Sequence, residues 1–533
     1  TNETTARISA LLQPLRTAHG MLAPKAARYY PLTGSDDLEH GNLAAIFPEW
    51  NRTFTRVFDA VRAEDFRAWL TEPSVASDQR LPLQLDSKQR ELAMTRPTSG
   101  YRRIKGSAGS GKSQVLAARA AELISQGKRV LVLAFNITLL HYLGDLAVRH
   151  HSGARKCGDW LHFHLWCSVM FGECGKYSDY RALWDEFSDR TRGAGSDEKA
   201  EALQVMLEET IPSALEAVLL TCDEADRQLY DAIMVDEGQD FLPRWWNVLR
   251  LTLKPDGEML LCADQSQDIY NTAIRWTDQA MTGAGFRGPW NILEKSYRLP
   301  QAYIPAIRQF AETFLPSETR MLPEPSDELP LMPCRVRWVQ IPSSKSVIAC
   351  ADEITRIVKG PGVEQHSAAD VVFLTASLKH GFAVVETLQR NSGYRFAHTF
   401  AESKNERRRL KNEFYLGDAR LKATTIHSFK GYEARTVVVH IGEGDPLKLA
   451  PLVYSAITRV KEHTHGSAIT VVCDNSAFRK YGKTWGEYVD LDVVRTATQS
   501  SDTWMPAKAT IQSRCPQAGL NLARSFNQES IVM

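Results

Sequence analysis

The chain lacks a hydrophobic run long enough to cross a membrane. Its most apolar stretch, 130–148, is interrupted by Asn136, His141 and Asp145, and so does not read as a bilayer span. It also lacks an excess of charge of either sign: 64 Lys and Arg stand against 63 Asp and Glu, a formal net charge of +1. No global basic field advertises a polyanion, so any nucleic-acid contact has to be made in local grooves. Cysteine is sparse. The nine present are scattered and odd in number, which does not describe a disulfide framework and fits reduced thiols in a cytoplasmic protein. No signal peptide, internal repeat or long biased tract is visible. What remains is a composition of the globular kind, 43% hydrophobic and 24% charged, in a 533-residue chain too long for a single core.

Against this background one stretch stands out. Gly106-Ser107-Ala108-Gly109-Ser110-Gly111-Lys112-Ser113 has the G-x-x-x-x-G-K-[S/T] spacing of a phosphate-binding P-loop. Polyphosphate is wrapped there by backbone N–H groups, and Gly106, Gly109 and Gly111 leave room for that approach. Lys112 would bring a point charge to the β- and γ-phosphates, and the Ser113 hydroxyl a ligand to Mg²⁺. The flanks predict a short strand over 101–105 and a helix over 113–126 whose N-terminus faces the phosphates. ATP and Mg²⁺ are the cofactors this implies.

The surrounding pattern is α/β. The stretch 129–135, apolar without a break after Arg129, predicts a buried parallel strand. Ala232-Ile233-Met234-Val235 runs straight into Asp236 and Glu237, a core strand delivering two acids to its C-terminal edge. Asp236 is placed to hold Mg²⁺ and Glu237 to orient or deprotonate a water; acids that merely cap the next helix are the alternative. A strand over 258–262, a Gly-rich linker near 281–291 and a second series of strands over 336–340, 370–374, 437–441 and 468–473 complete the reading. The expected organisation is a helical N-terminal region over 1–80, a first α/β domain over 81–144 and 230–285 carrying a helical insertion over 145–229, a second α/β domain over 290–476, and a polar, loosely packed tail over 477–533. His162, His164, Cys167 and Cys174 match no familiar zinc spacing.

Taken together, the motifs resemble the UvrD/Rep family of superfamily 1 helicases. In order they are Gln89 in Asp-Ser-Lys-Gln, the P-loop, Phe135-Asn136, Phe163-His164, Asp236 to Asp240, Gln267-Asp-Ile-Tyr270, Ser296-Tyr297-Arg298, the T-x-H-x-x-K-G-x-E stretch from Thr425 to Glu433, and Tyr454-Ser-Ala-Ile-Thr458-Arg459. They span about 70% of the chain, from 89 to 459. The resemblance implies two tandem RecA-like P-loop NTPase domains and an ATP-dependent motor on single-stranded DNA, with RNA open, running 3′→5′. An ATP-gated switch or clamp without processive unwinding is the alternative. Gln89 would read the adenine edge, Tyr297 would stack on the base and Glu433 would bind the ribose. Gln267 would sense the γ-phosphate, and Arg298 and Arg459 would reach it from the second domain. Phe135, Phe163, His164, Tyr270, Trp276 and His427 would line the strand's path, where stacking is sequence-tolerant. The sequence also departs from the family pattern. Arg102, Arg103 and Lys105 make the strand before the P-loop unusually polar, and Gln114 and His162 replace the residues usual there. Only about 125 residues separate Arg298 from Thr425, so the family's large accessory subdomain is expected to be missing or vestigial, with a protein partner expected to supply its grip for unwinding.

Overall fold

The computed structural model describes residues 81–82, 84–222, 229–264, 266, 285–286, 289–317, 320–327, 332–359 and 366–491. The expected N-terminal region over 1–80 lies outside them.

Two wholly parallel sheets organise these residues. The first has the order β3-β2-β4-β5-β1-β6, from β1 (Tyr101–Gly106), β2 (Val130–Leu133), β3 (Asp159–Leu161), β4 (Tyr230–Val235), β5 (Leu253–Ala263) and β6 (Asn291–Leu293). A short pair, β7 (Lys295–Ser296) with β8 (Glu324–Pro325), follows it. The second sheet has the order β11-β12-β10-β13-β14-β9-β15. Its strands are β9 (Cys334–Gln340), β10 (Val371–Thr375), β11 (Phe396–His398), β12 (Leu421–Thr425), β13 (Thr436–Ile441), β14 (Ser467–Cys473) and β15 (Glu487–Asp490). This is the α/β class expected.

The central strands β2, β10 and β13 are buried at every position because both faces are covered, and their runs are mostly apolar for that reason. In β2, Val130 and Val132 pack with Val115 and Leu116 of the Lys112–Ser125 helix, while Leu131 and Leu133 pack with Trp166 and Phe171 on the opposite face. In β13, Val437 and Val439 join Phe310 and Tyr454 on one face, and Val438 joins Val384 and Ile354 on the other. The wholly buried pattern of both strands follows directly. Parallel order also places the loop after every strand at one edge of each sheet, and that edge carries the site.

Three expectations about organisation change. The region 145–229 is not purely helical: β3 adds to the edge of the first sheet beside β2. Three residues, Asp-Trp-Leu, are too few to show a strand period. The first sheet also extends past the expected linker, since β6 pairs with β1 and the second lobe begins only after it. Finally, the tail expected from 477 is ordered as far as 491. Phe478, Tyr481 and Trp485 are buried against Phe310 and Trp338, and β15 pairs with β9. Those three anchors are spaced three and four apart in a polar stretch, and only the partner surface reveals them.

Candidate active site between the two sheets

β1 ends at Gly106, the loop turns, and the helix begins at Lys112. Gly109 and Gly111 have φ of 80° and 85°, in the left-handed region. A Cβ on Gly109 would lie 2.5 Å from Ser296 Oγ, so the space is refused to any side chain as well. Lys112 is buried and folds back: its Nζ donates to the carbonyls of Gly106 (2.6 Å) and Ser107 (3.0 Å) and pairs with Asp264 at 3.4 Å. Ser113 Oγ donates to Asp236 Oδ2 at 2.7 Å. A hydroxyl and a carboxylate so joined form the hard-oxygen donor pair that suits Mg²⁺.

Two adjacent acids are buried here, and their environments drive them apart. Burial, then the charge of Glu237, raises the Asp236 carboxyl. Burial also acts to raise Glu237, but the cations Lys430, Lys112 and Arg459 outweigh it and hold Glu237 below its ordinary value. Among the described residues Glu237 alone, apart from glycines, has positive φ, at 51°. Such a conformation costs on the order of 1–3 kcal/mol and persists only where surrounding contacts impose it.

The cleft is lined by Gly109, Lys112, Ser113, Glu237, Tyr297 and Arg298, and from the second lobe by Glu433 and Arg459. With Gly111, which also lines it, it gathers nine of the expected residues. Arg298 stands between the lobes: its carbonyl accepts from Glu462 N of the second lobe at 2.7 Å, and the residues before it hold the first. It sits in the connector just after β6 and β7, clamped to the P-loop: Ser296 Oγ donates to Ala108 O (2.9 Å) and Tyr297 N to Gly109 O (3.0 Å). The guanidinium Nε and Nη2 of Arg298 are buried without a hydrogen-bond partner. Orphaned donors of this kind, beside glycine N–H groups, fit a polyphosphate. Arg459 is fully buried and donates to Ser455 O (2.7 Å) and Tyr432 O (3.3 Å). Burial, together with repulsion from Arg298, lowers its guanidinium to about 9. Glu433 pairs with Lys461 at 3.2 Å and is held below its ordinary value: burial opposes this, and Lys461 and Arg298 outweigh burial.

Gln89 does not line the cleft. It closes a capping box with Asp86, accepting from Asp86 N at 3.1 Å, and its amide donates to Ser110 O at 3.0 Å. In this conformation it braces the P-loop instead of facing a base. Gln114, Tyr142 and Lys461 do line the cleft and carried no assigned role from sequence. Tyr142 lies in the Ile137–His150 helix, where it looks like one more position of an apolar face; its ring packs 5.4 Å from Tyr432 of the second lobe.

The expected strand-binding aromatics divide. Phe135 is 37% exposed and lies parallel to Trp245, with ring centroids 6.4 Å apart. Phe163 is 2% exposed and stacks on the other side of Trp245 at 4.4 Å. Phe163 is therefore core, a correction that follows from its place on the buried face of the Phe163–Glu173 helix with Trp166, Cys167, Met170 and Phe171. His164 packs edge-on to Trp245, and burial lowers it to about 4. His427 is half-buried on the second lobe, lowered by burial and by Lys430 and Lys411. Gln267, Tyr270 and Trp276 lie outside the described residues.

His427 belongs to the loop that joins β12 to β13, and that loop grips the first lobe. Asn136 Nδ2 donates to the carbonyls of His427 and Ser428, both at 3.0 Å, and Thr138 Oγ1 to Ser428 O at 2.7 Å. Lys430 Nζ meets both oxygens of Asp240, at 2.8 and 2.7 Å, and Glu237 at 3.7 Å. Lys430 stood in a recognised motif, yet nothing in its spacing announced this contact.

No protein-family model matches the chain, and no curated protein sequence does. Among solved structures it is similar to S. cerevisiae Dbp5 bound to RNA and ADP BeF3, at 12% identity, covering 80% of this chain and 95% of that one, with a TM-score of 0.44. A likeness at that level assigns this chain neither a family nor an activity.

Proposed function

We propose that the chain is an ATP-driven motor of the UvrD/Rep kind, hydrolysing ATP with Mg²⁺ between its two lobes and moving 3′→5′ along single-stranded DNA. The observation that carries this reading is the composition of one cleft. A glycine loop, a Ser113–Asp236 pair and a charged Glu237 face two arginines, one of them with buried, unpaired donors. In the reaction Ser113 and Asp236 would hold Mg²⁺, which would neutralise charge on the phosphates. Glu237 would orient the water, Arg298 and Arg459 would meet charge developing on the γ-phosphate, Tyr297 would pack on the base and Glu433 would bind the ribose. Gln267 would complete the phosphate contacts. Because the lobes both supply ligands, nucleotide turnover would alter their separation, and that change would be the stroke. Phe135, His164 and His427 lie at the edge where a strand would cross both lobes, with Tyr270 and Trp276 as further contacts.

The test is the ATPase rate with single-stranded DNA, duplex DNA and RNA as activators. Strong activation by single-stranded DNA is expected; equal rates with and without every polynucleotide would sink the reading. One observation favours the ATP-gated switch as the second reading. Between Gly393 and Leu421 the second lobe holds only β11 and the ten-residue Lys404–Glu413 helix, so this stretch carries no large subdomain to grip duplex ahead of the motor. Activation by single strands without movement along them, in a translocation assay beside a strand-displacement assay, would decide for the switch. Movement with poor unwinding would point to a motor that depends on a partner protein.

A further inference from the structure

The loop from Ile426 to Glu433 touches three things at once. Its His427 end lies at the proposed strand track and is tethered by Asn136, the neighbour of Phe135. Its Glu433 end lines the nucleotide cleft. Between them Lys430, 3% exposed, crosses to the first lobe and closes an ion pair with Asp240 in the turn that follows Glu237. Glu237 itself is held in its left-handed conformation with its carboxylate accepting from Gln239 and lying 3.7 Å from the Lys430 ammonium. A charge pair this deeply buried resists loss of one partner, so the loop stays docked on the first lobe until another interaction displaces it.

We propose that Lys430 is a positioning residue that restrains Glu237 until a strand occupies the track, so that polynucleotide activates hydrolysis through this loop. The inference rests on the motor reading above. A strand lying across Phe135 and His427 would displace the carbonyls that Asn136 holds. The loop would carry Lys430 away from Asp240 and Glu237, and the released carboxylate would turn toward the attacking water. Binding at the track and release at the acid would then be two readings of one two-state element.

The test uses the full chain with oligo(dT) as activator. The double variant K430Q/D240N replaces the ion pair by a neutral pair of similar shape and leaves no charge orphaned at position 240, while Glu237 keeps Lys112 and Arg459 as its cations. Asn136→Ser is the second variant: it keeps a hydroxyl to cap the Ile137–His150 helix but removes the amide donor that tethers the loop. In both, the strand-free kcat should rise by about 5-fold or more with KM little changed, and the activation ratio should fall in the same proportion. A residue that merely supported the fold would lower the strand-free rate. Either a fall in that rate or an unchanged activation ratio in both variants overturns the inference. Wild-type protein that no polynucleotide activates would overturn the motor reading and this inference with it; activated wild type with equally activated variants would overturn the inference alone.

Discussion

Replacing Arg298 with alanine should abolish most catalysis and yet leave the nucleotide-free fold more stable. Two of its guanidinium nitrogens, Nε and Nη2, are buried without a partner. A buried donor left unsatisfied costs about 1–3 kcal/mol, so the pair costs roughly 2–6. Truncation to alanine also removes two apolar methylenes beyond Cβ, at about 0.8 kcal/mol each. The difference favours the variant by something on the order of 1–4 kcal/mol. Relief of the repulsion that Arg298 exerts on buried Arg459 acts in the same direction, and loss of its attraction for buried Glu433 acts against it. With a ground-state nucleotide analogue both proteins should gain stability by similar amounts, so the variant's advantage should persist, because the charge met by Arg298 develops only in the transition state. Catalysis should fall by about 10²–10³-fold in kcat with little change in KM, since the charge met by Arg298 develops in the transition state. Thermal unfolding with and without a non-hydrolysable ATP analogue, beside steady-state ATPase kinetics, reads both effects. A variant less stable than wild type without nucleotide, or one that loses only affinity, would refute the reasoning.

Other substitutions separate the remaining roles. Glu237→Gln should bind ATP and fail to hydrolyse it, while Lys112→Ala should lose affinity as well, and filter binding with labelled ATP tells them apart. Near wild-type turnover in Glu237→Gln would remove that residue from catalysis. Phe163→Ala should destabilise by about 3–5 kcal/mol as a core truncation, whereas Phe135→Ala should spare stability and weaken single-strand binding by about 1–3 kcal/mol; calorimetry and fluorescence anisotropy check the pair. At the edge of the second sheet, His380 stacks on His440 at 3.6 Å, and burial together with His440 lowers it from 6.5 to about 3. Its folded pKa lies below the unfolded one, so the unfolded chain binds the extra proton. Stability is then complete above about pH 6.5 and declines as pH falls toward 3, by at most about 2 kcal/mol at pH 5 before solvent screening reduces it. His380→Phe should flatten that limb of the stability profile, and an unchanged profile would exclude the histidine as its source.

Much of the chain's organisation was written in local patterns. The P-loop was legible because its chemistry demands glycines at fixed spacing, and the structure places them at φ near 80° beside Ser296 and Arg298. The central strands were legible because a strand covered on both faces is apolar along most of its length, as β2 is throughout and β13 is at Val437, Val438, Val439 and Ile441. Asp236 and Glu237 were legible as acids following such a strand. Other assignments depend on distant surfaces. Phe135 and Phe163 are equivalent as letters, and only Trp245 between them makes one a half-exposed platform and the other core. Gln89 faces Ser110, and not the cleft, because the capping box with Asp86 fixes its rotamer. Phe478, Tyr481 and Trp485 become core only because Phe310 and Trp338 arrive from elsewhere in the chain.

What the sequence determined by itself is therefore whatever a backbone conformation or a two-sided core dictates within a few residues: the α/β class, the glycine loop, the strand-edge acids. What the tertiary structure decided is which side chains meet across the lobes. Arg298 belongs to the connector because β6 completes the first sheet before it. Lys430 meets Asp240 across 190 residues of chain because the loop after β12 docks on the first lobe. Such contacts pair groups whose spacing carries no period, so the energy that selects them, a charge buried only where its partner already stands, is stored in the assembled fold and not in any stretch of sequence.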